Sequence, residues 1–300
     1  MSFTSQLGNY LSYKLTRRDE GFTSFFEKFA HKNASLTKII ETSYESNVDA
    51  YSVIKKIVDV YAGSKWIVEQ NVSGEWEEVL DTTVHDLMKN PNMTKGYTWK
   101  DIDEQLATYL LTSGNSYTLG TELNGRIEEI DILPSNHIEI ESNEDFFLPN
   151  LKYKFEIGKT KRTYDVEELE HIKLFNPSYQ TIKGTSNYGG VGITNKDLKY
   201  IPMAMSATDL QLVESGVITL RAMCNVLGLD SSLFNDPANK TFNNRIEAEK
   251  AMFTNVIIPL SDKIAAKHTK YIVKNHYPDG NYRMRKDFSE VEALQSDKKQ

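Results

Sequence analysis

At 300 residues the chain exceeds the usual single-domain length, so one large domain or two linked ones are expected. Its net charge of −7 argues against a tight, base-reading DNA binder, whose affinity needs a basic surface. With one cysteine, Cys224, no intrachain disulfide or Cys-based zinc site can form and a reducing compartment is expected.

No apolar run reaches the roughly 18 residues that a bilayer span needs, and Met1 to Tyr13 has too few apolar residues for a signal peptide. Phe22, Phe25, Phe26 and Phe29 fall at helical spacing and read as a short amphipathic helix. The alternative is an arm that docks on another subunit or on a shell.

Asn47 to Gly63 reads as a helix capped by Asn47, with Val48, Tyr51, Ile54, Val58 and Tyr61 as its apolar stripe. Lys65–Gln70 and Glu75–Val79 read as strands joined by a hairpin turn at Ser73-Gly74. A short helix then ends at Asn90-Pro91, because a residue before proline is pushed out of the helical region. Tyr97 to Thr112 is a longer helix carrying Ile102, Leu106, Tyr109 and Leu110, and Gly114-Asn115 ends it. Asn124-Gly125 is a type I′ hairpin signal between Ser116–Gly120 and Ile127–Leu133. Further strand patterns follow at His137–Ile140, Lys152–Ile157 and Leu169–Phe175. His171, inside the last of these, is read as a hydrogen-bonded structural residue, and the six histidines show no metal-binding spacing.

Gly184 to Gly190 is dense in Gly and Ser and marks a flexible connection. Ser206-Ala207-Thr208-Asp209 opens a helix along Leu210, Val213, Val217, Leu220 and Val226, which Gly228 can end in a left-handed conformation. A polar loop, about Asp230 to Asn244, contains the turn signal Asn235-Asp236-Pro237. The next helix, from about Phe242, carries Ile246, Met252, Phe253, Val256 and Ile257 and is expected to break or kink at Pro259. Lys267, Lys270, Lys274, Arg283, Arg285 and Lys286 make the most basic region; it reads as a solvated face, with a DNA-tracking patch as the alternative.

Gly189-Gly190-Val191-Gly192 lacks the Gly-Lys-Ser/Thr of a phosphate loop. Asp101, Asp103 and Glu104, with Glu128 and Glu129, raise a metal-dependent nuclease, but acidic residues near a helix start usually complement its dipole. No Gly-x-Ser-x-Gly elbow exists.

One resemblance gathers these segments. Ser206, Asp209, Gln211 and Glu214 on the first helix, Asn239 to Asn244 before the second, and Ile258-Pro259-Leu260 within it are similar in order and spacing to the portal proteins of tailed bacteriophages. Asp49-Ala50-Tyr51, the Leu87-to-Asn92 stretch, Gly114-Asn115-Ser116-Tyr117 and His171-Ile172 fit the same family. Relative to it, the chain looks short in the middle, between His171-Ile172 and Asp209, and at its C-terminal end. The resemblance implies an α+β fold of wing, stem and clip type, with helices and antiparallel hairpins. It implies a non-enzymatic subunit of a dodecameric ring at the unique capsid vertex, a channel for double-stranded DNA during packaging and ejection. Expected partners are the terminase large subunit, the major capsid protein and head-completion, adaptor or tail proteins, with no cofactor, metal or membrane. The virion is the expected location, and the host cytoplasm during assembly. Expected segments are an arm (1–46), a wing/clip-like region (47–175), the Gly/Ser-rich connection (176–205) and a helix-loop-helix region with a basic β tail (206–300). Asn239, Lys240, Asn243, Asn244 and Arg245 are the expected channel-facing residues, and Ser206, Asp209, Gln211, Glu214 and Pro259 the family's structural positions. The alternatives are a non-assembling remnant from a defective prophage, and a carboxylate-dependent nuclease or hydrolase.

Overall fold

The computed structural model describes residues 48–141, 151–175, 220–234, 236 and 242–295, with side chains from residue 244 in the last span. The arm, the Gly/Ser-rich connection, and the motif residues Ser206, Asp209, Gln211 and Glu214 lie outside the described residues. The elements run α1 (Val48–Gly63), β1 (Lys65–Val72), β2 (Glu75–Val79), α2 (Thr83–Lys89), α3 (Trp99–Ser113), β3 (Asn115–Leu123), β4 (Arg126–Leu133), β5 (Ile138–Glu141), β6 (Lys152–Ile157), β7 (Thr160–Asp165) and β8 (Leu169–Lys173). Residues 220–227 then form α4. They are followed by α5 (Phe242–Met252), α6 (Ile258–His268), α7 (Lys274–His276), β9 (Tyr282–Asp287) and α8 (Glu292–Gln295). The class is α+β, as expected: helices pack on small antiparallel sheets.

Local chemistry sets most boundaries. Ser73 (φ 56°) and Gly74 (φ 96°) turn β1 into β2, and Asn124 (φ 54°) and Gly125 (φ 79°) turn β3 into β4, both pairs left-handed as a type I′ turn requires. Thr98 accepts from the Asp101 backbone N–H while the Asp101 carboxylate accepts from the Thr98 N–H, a reciprocal cap that starts α3. Asp101 is therefore a structural cap. Gly114 (φ 72°) ends α3 in the left-handed conformation.

The sheets have the orders β2-β1-β9, β4-β3-β8 and β5-β6-β7. The larger core joins α1, α3, the inner face of β1, the Ile127, Ile130 and Ile132 side of β4, and the C-terminal helices. Ile102, Leu106 and Leu110 of α3 are fully buried there, each worth about 1.5–3 kcal/mol of hydrophobic transfer. The smaller core packs Tyr117, Leu133 and Leu169 against Tyr153, Phe155 and Tyr164 of β6 and β7. His171 stacks on Tyr117 (4.6 Å between centroids) and is hydrogen-bonded to Asn115 Oδ1 (3.0 Å) and Tyr153 Oη (3.2 Å), which makes it structural.

Two expected stripes are corrected. In α1, Ala50, Val53, Ile54, Ile57, Val58 and Tyr61 are buried, whereas Val48 is 78% exposed and Tyr51 42%. The stripe rotates with the helix's true 3.6-residue period, which puts Val53 and Ile57 on the buried face. In α5, Ile246 is exposed while Met252, Val256 and Ile257, further along, are buried.

The expected break at Pro259 is corrected as well. Residues 242–276 form one continuous helical rod, about 50 Å of contour at the α-helical rise. Phe253–Ile257, just before the proline, is a π-helical turn in which the Ile258 N–H donates to the Phe253 carbonyl, five residues back. Proline has no N–H to give and its ring crowds the carbonyl four residues earlier; the wider turn absorbs both defects without ending the helix. A second π turn, Thr269–Val273, leads into α7.

The rod docks through polar contacts as well as apolar ones. Asn275 Oδ1 accepts from the Ile127 N–H (2.8 Å), and His276 Nε2 lies 3.0 Å from the Ile127 carbonyl. The Tyr271 hydroxyl accepts from the Gly120 N–H (3.0 Å) and donates to the Glu168 carbonyl (2.7 Å). Gly120 and Ile127 lie in the β3–β4 hairpin on either side of its irregularity at Thr121/Glu122, and Glu168 directly precedes β8, so the rod is tied to both.

Candidate functional site

The expected channel element sits between α4 and α5. The Gly228 (φ 72°) N–H donates to the Asn225 carbonyl and the Leu229 N–H to the Cys224 carbonyl (2.8 Å), a Schellman ending of α4. Leu229 and Cys224 are both buried beneath it. Asp230 Oδ1 accepts from the Ser232 N–H (2.7 Å) and starts a single 3₁₀ turn, Ser231–Leu233. Phe234 packs against the larger core.

Asp236 pins the next part of the loop. It is fully buried and accepts from Arg221 Nε (2.7 Å), an Arg221 terminal nitrogen (2.9 Å) and Ser231 Oγ (2.7 Å). Such a two-pronged arginine–carboxylate pair is among the stronger polar contacts available to a protein. The first half of the loop is thus tied down onto α4 and the core. Asn239 and Lys240 lie outside the described residues, as does the side chain of Asn243. Asn243, Asn244 and Arg245 belong to the first turn of α5 rather than to the loop. Asn244 and Arg245 are exposed, and Arg245 Nε reaches Glu249 at 3.4 Å across one helical turn.

The basic region divides in two. Lys267, Lys270 and Lys274 are exposed on the rod, as a solvated face should be. Arg283, Arg285 and Lys286 depart from that reading because they lie in β9, paired to β1. Arg283 Nε (2.7 Å) and Arg285 Nε (2.8 Å) both donate to the carboxylate of Glu69, itself only 4% exposed. Burial pushes the Glu69 carboxyl up, and the two guanidiniums outweigh it, leaving its pKa below the ordinary range. Arg283 also lies over the Trp76 ring at 4.2 Å.

Lys286 is the residue the sequence concealed. Its side chain is completely buried and donates to Asp103 Oδ2 (2.7 Å), the Tyr61 carbonyl (2.6 Å) and the Ser64 carbonyl (2.9 Å), the full complement of an ammonium. Asp103 also accepts from Trp66 Nε1 (2.8 Å) and the Tyr61 hydroxyl (3.4 Å). The ammonium lies 4.2 Å from the Tyr61 ring centroid and 4.8 Å from that of Trp66. Burial pushes Asp103 up and Lys286 down, and each charge opposes that drift in its partner. Each group thus has its partner charge and its hydrogen-bond partners within the core. Asp103 is thereby a structural anchor and not a metal ligand. Glu104 sits beside Lys100 at 3.7 Å. Among the described residues no group of three or more His, Cys, Asp or Glu side chains is placed to hold a metal ion.

This is the fold of portal proteins. An HK97 family phage portal protein from Corynebacterium diphtheriae superposes with a TM-score of 0.51 at 9% identity, over 81% of this chain and 92% of the other. A chain of the neck of an empty gene transfer agent particle, computed with C6 symmetry, superposes at 0.71 with 17% identity, over 88% of this chain and 87% of the other. One from the native particle's neck, computed with C12 symmetry, gives 0.69 at 18% identity over the same shares. At the level of sequence, residues 178–300 match the model of the phage portal protein family, and the resemblance read from the motifs is borne out. Uncharacterized proteins of Rickettsia felis and Rickettsia bellii are 22% and 21% identical, each over 79% of this chain and 77% of its own length.

Proposed function

We propose that the chain is a portal subunit that assembles with copies of itself into a ring at one vertex of a phage-like head. Double-stranded DNA passes through the ring, a separate terminase supplies the energy of packaging, and capsid and head-completion or tail proteins dock around it. The observation that carries this reading is the coincidence of two independent likenesses. Residues 178–300 match the portal family in sequence, and the chain superposes over most of its length on proteins of symmetric particle necks.

The acidic balance fits a channel wall that neither reads bases nor grips phosphates, so DNA contact is weak and independent of sequence. The chain's part is structural, with no catalytic step of its own. The segment from about residue 237 to Arg245 is the local candidate for the channel surface. Lys240 and Arg245 would supply positive charge there, and Asn239, Asn243 and Asn244 hydrogen bonds to phosphate. Its anchoring supports the reading, since Asp236 ties one end to α4 and the rod holds the other.

Electron microscopy of the purified full chain tests the assembly. Rings with a central opening, many times the 34.3 kDa subunit mass, are expected. Particles that stay monomeric at high concentration in several salts would overturn it. Replacing Lys240 and Arg245 together by alanine in the intact particle tests the channel surface, which is wrong if rings form and DNA packaging and retention are unchanged.

A further inference from the structure

A second buried charge pair lies beside the first. Glu170 comes from β8 and His268 ends α6; their side chains are 2% and 0% exposed. Nδ1 of His268 lies 3.0 Å from each Glu170 carboxylate oxygen. Trp66 of β1 (5.8 Å between ring centroids) and Trp99 of α3 (6.2 Å, edge-on at 75°) flank the imidazole. His268 Nε2 is buried with no hydrogen-bond partner among the described residues.

The charged groups that act on the imidazole are Glu170 from β8, Asp103 from α3 and Lys286 from β9. Asp103 and Lys286 cancel each other in their own contact at 2.7 Å. Among the described residues Glu170 is ion-paired only with His268: a neutral imidazole would leave a net negative charge in the core, and an imidazolium makes the four groups neutral together.

We propose that His268 is held as an imidazolium by Glu170, and that this ion pair latches α6 to β8, so that the docking of the C-terminal helices on the sheets weakens as pH rises. Burial alone would lower the affinity of His268 for its proton. The Glu170 charge and hydrogen bond, helped by Asp103 and opposed by Lys286, more than reverse this and raise its pKa above the ordinary 6.5. The folded chain therefore keeps a proton that the unfolded chain gives up. The pair's contribution is complete below about pH 6.5 and is lost as pH rises through the folded value.

The experiment uses the full chain with ¹⁵N-labelled histidine, titrated from about pH 6 to about pH 9, the range that brackets an ordinary and a raised histidine. Both ring nitrogens of His268 are expected to stay protonated through neutral pH. In parallel, the urea midpoint of the unsubstituted chain should fall across this range relative to that of Glu170→Gln. A His268 ring that carries a single proton at pH 7 overturns the proposal, as do midpoints that run parallel with pH. Where Glu170→Gln does not fold, the ring protonation of the unsubstituted chain decides alone.

Discussion

Replacing Lys286 by methionine keeps most of the side-chain volume and removes the ammonium, leaving Asp103 buried without its counter-charge. Asp103 is 1% exposed, and Trp66 Nε1 and the Tyr61 hydroxyl cannot neutralise it. The Tyr61 and Ser64 carbonyls lose their donor in the same step. Breaking one side of such a pair costs about 3–5 kcal/mol, because an uncompensated charge stays in the interior. The cost should shrink on acidification. With Lys286 gone, burial raises Asp103 further, opposed now only by the Trp66 hydrogen bond and the His268 ring, and a protonated Asp103 no longer needs a counter-charge. The double substitution Asp103→Leu/Lys286→Met removes both charges and should lie nearer the unsubstituted chain than either single change. Urea denaturation at one fixed protein concentration, repeated at neutral and acid pH, measures all four proteins of the cycle, since assembly would otherwise shift the midpoint. A loss below about 1 kcal/mol for Lys286→Met, within the range of ordinary surface pairs, would refute the reasoning. So would a gap that does not narrow at acid pH.

Two further expectations concern packing and reactivity. A Cβ on Gly120 would sit 2.9 Å from both Cγ1 and Cδ1 of Ile127, which is itself packed in the core, so Gly120→Ala should cost about 1–3 kcal/mol as overpacking, read as a lowered denaturation midpoint. Burial pushes the Cys224 thiol up to about 12, with nearby carboxylates adding to the shift; it should resist a thiol reagent at neutral pH while folded and react fully in denaturant.

What the sequence discloses about this fold is mostly what neighbouring residues decide. The turns at Ser73-Gly74 and Asn124-Gly125, the stop at Gly114 and the Gly228 ending of α4 each depend on a few adjacent residues, and each stands where the pattern put it. The phase of the α1 stripe failed because Val48 and Tyr51 at the helix start are apolar yet exposed. Hydrophobicity shows which residues could be buried, whereas only the neighbours α1 packs against select which are. The break at Pro259, one of the two outcomes expected there, failed differently. The proline rule is sound for a regular α-helix, but nothing in Phe253–Ile257 advertises the π turn that accommodates the ring.

The candidate site was least legible where it depends on charges far apart in sequence. Lys286 stands in an alternating stretch, Tyr282 to Asp287, in which a solvated strand and a buried one look alike by composition. Its partner Asp103 lies 183 residues earlier, among acidic residues that a helix start would carry anyway. The signal available was the period of two: Tyr282, Met284 and Lys286 share one face of β9, and Met284 is plainly apolar. That places Lys286 on the core side, where an ammonium persists only beside a carboxylate. Arg283 and Arg285, on the opposite face, share the single carboxylate of Glu69 while staying 39% and 42% exposed, and only Lys286, held by Asp103, is withdrawn from solvent. Among the described residues, positive charge in solvent comes from side chains such as Lys267, Lys270 and Lys274 on the rod, from Arg245, and in part from Arg283 and Arg285.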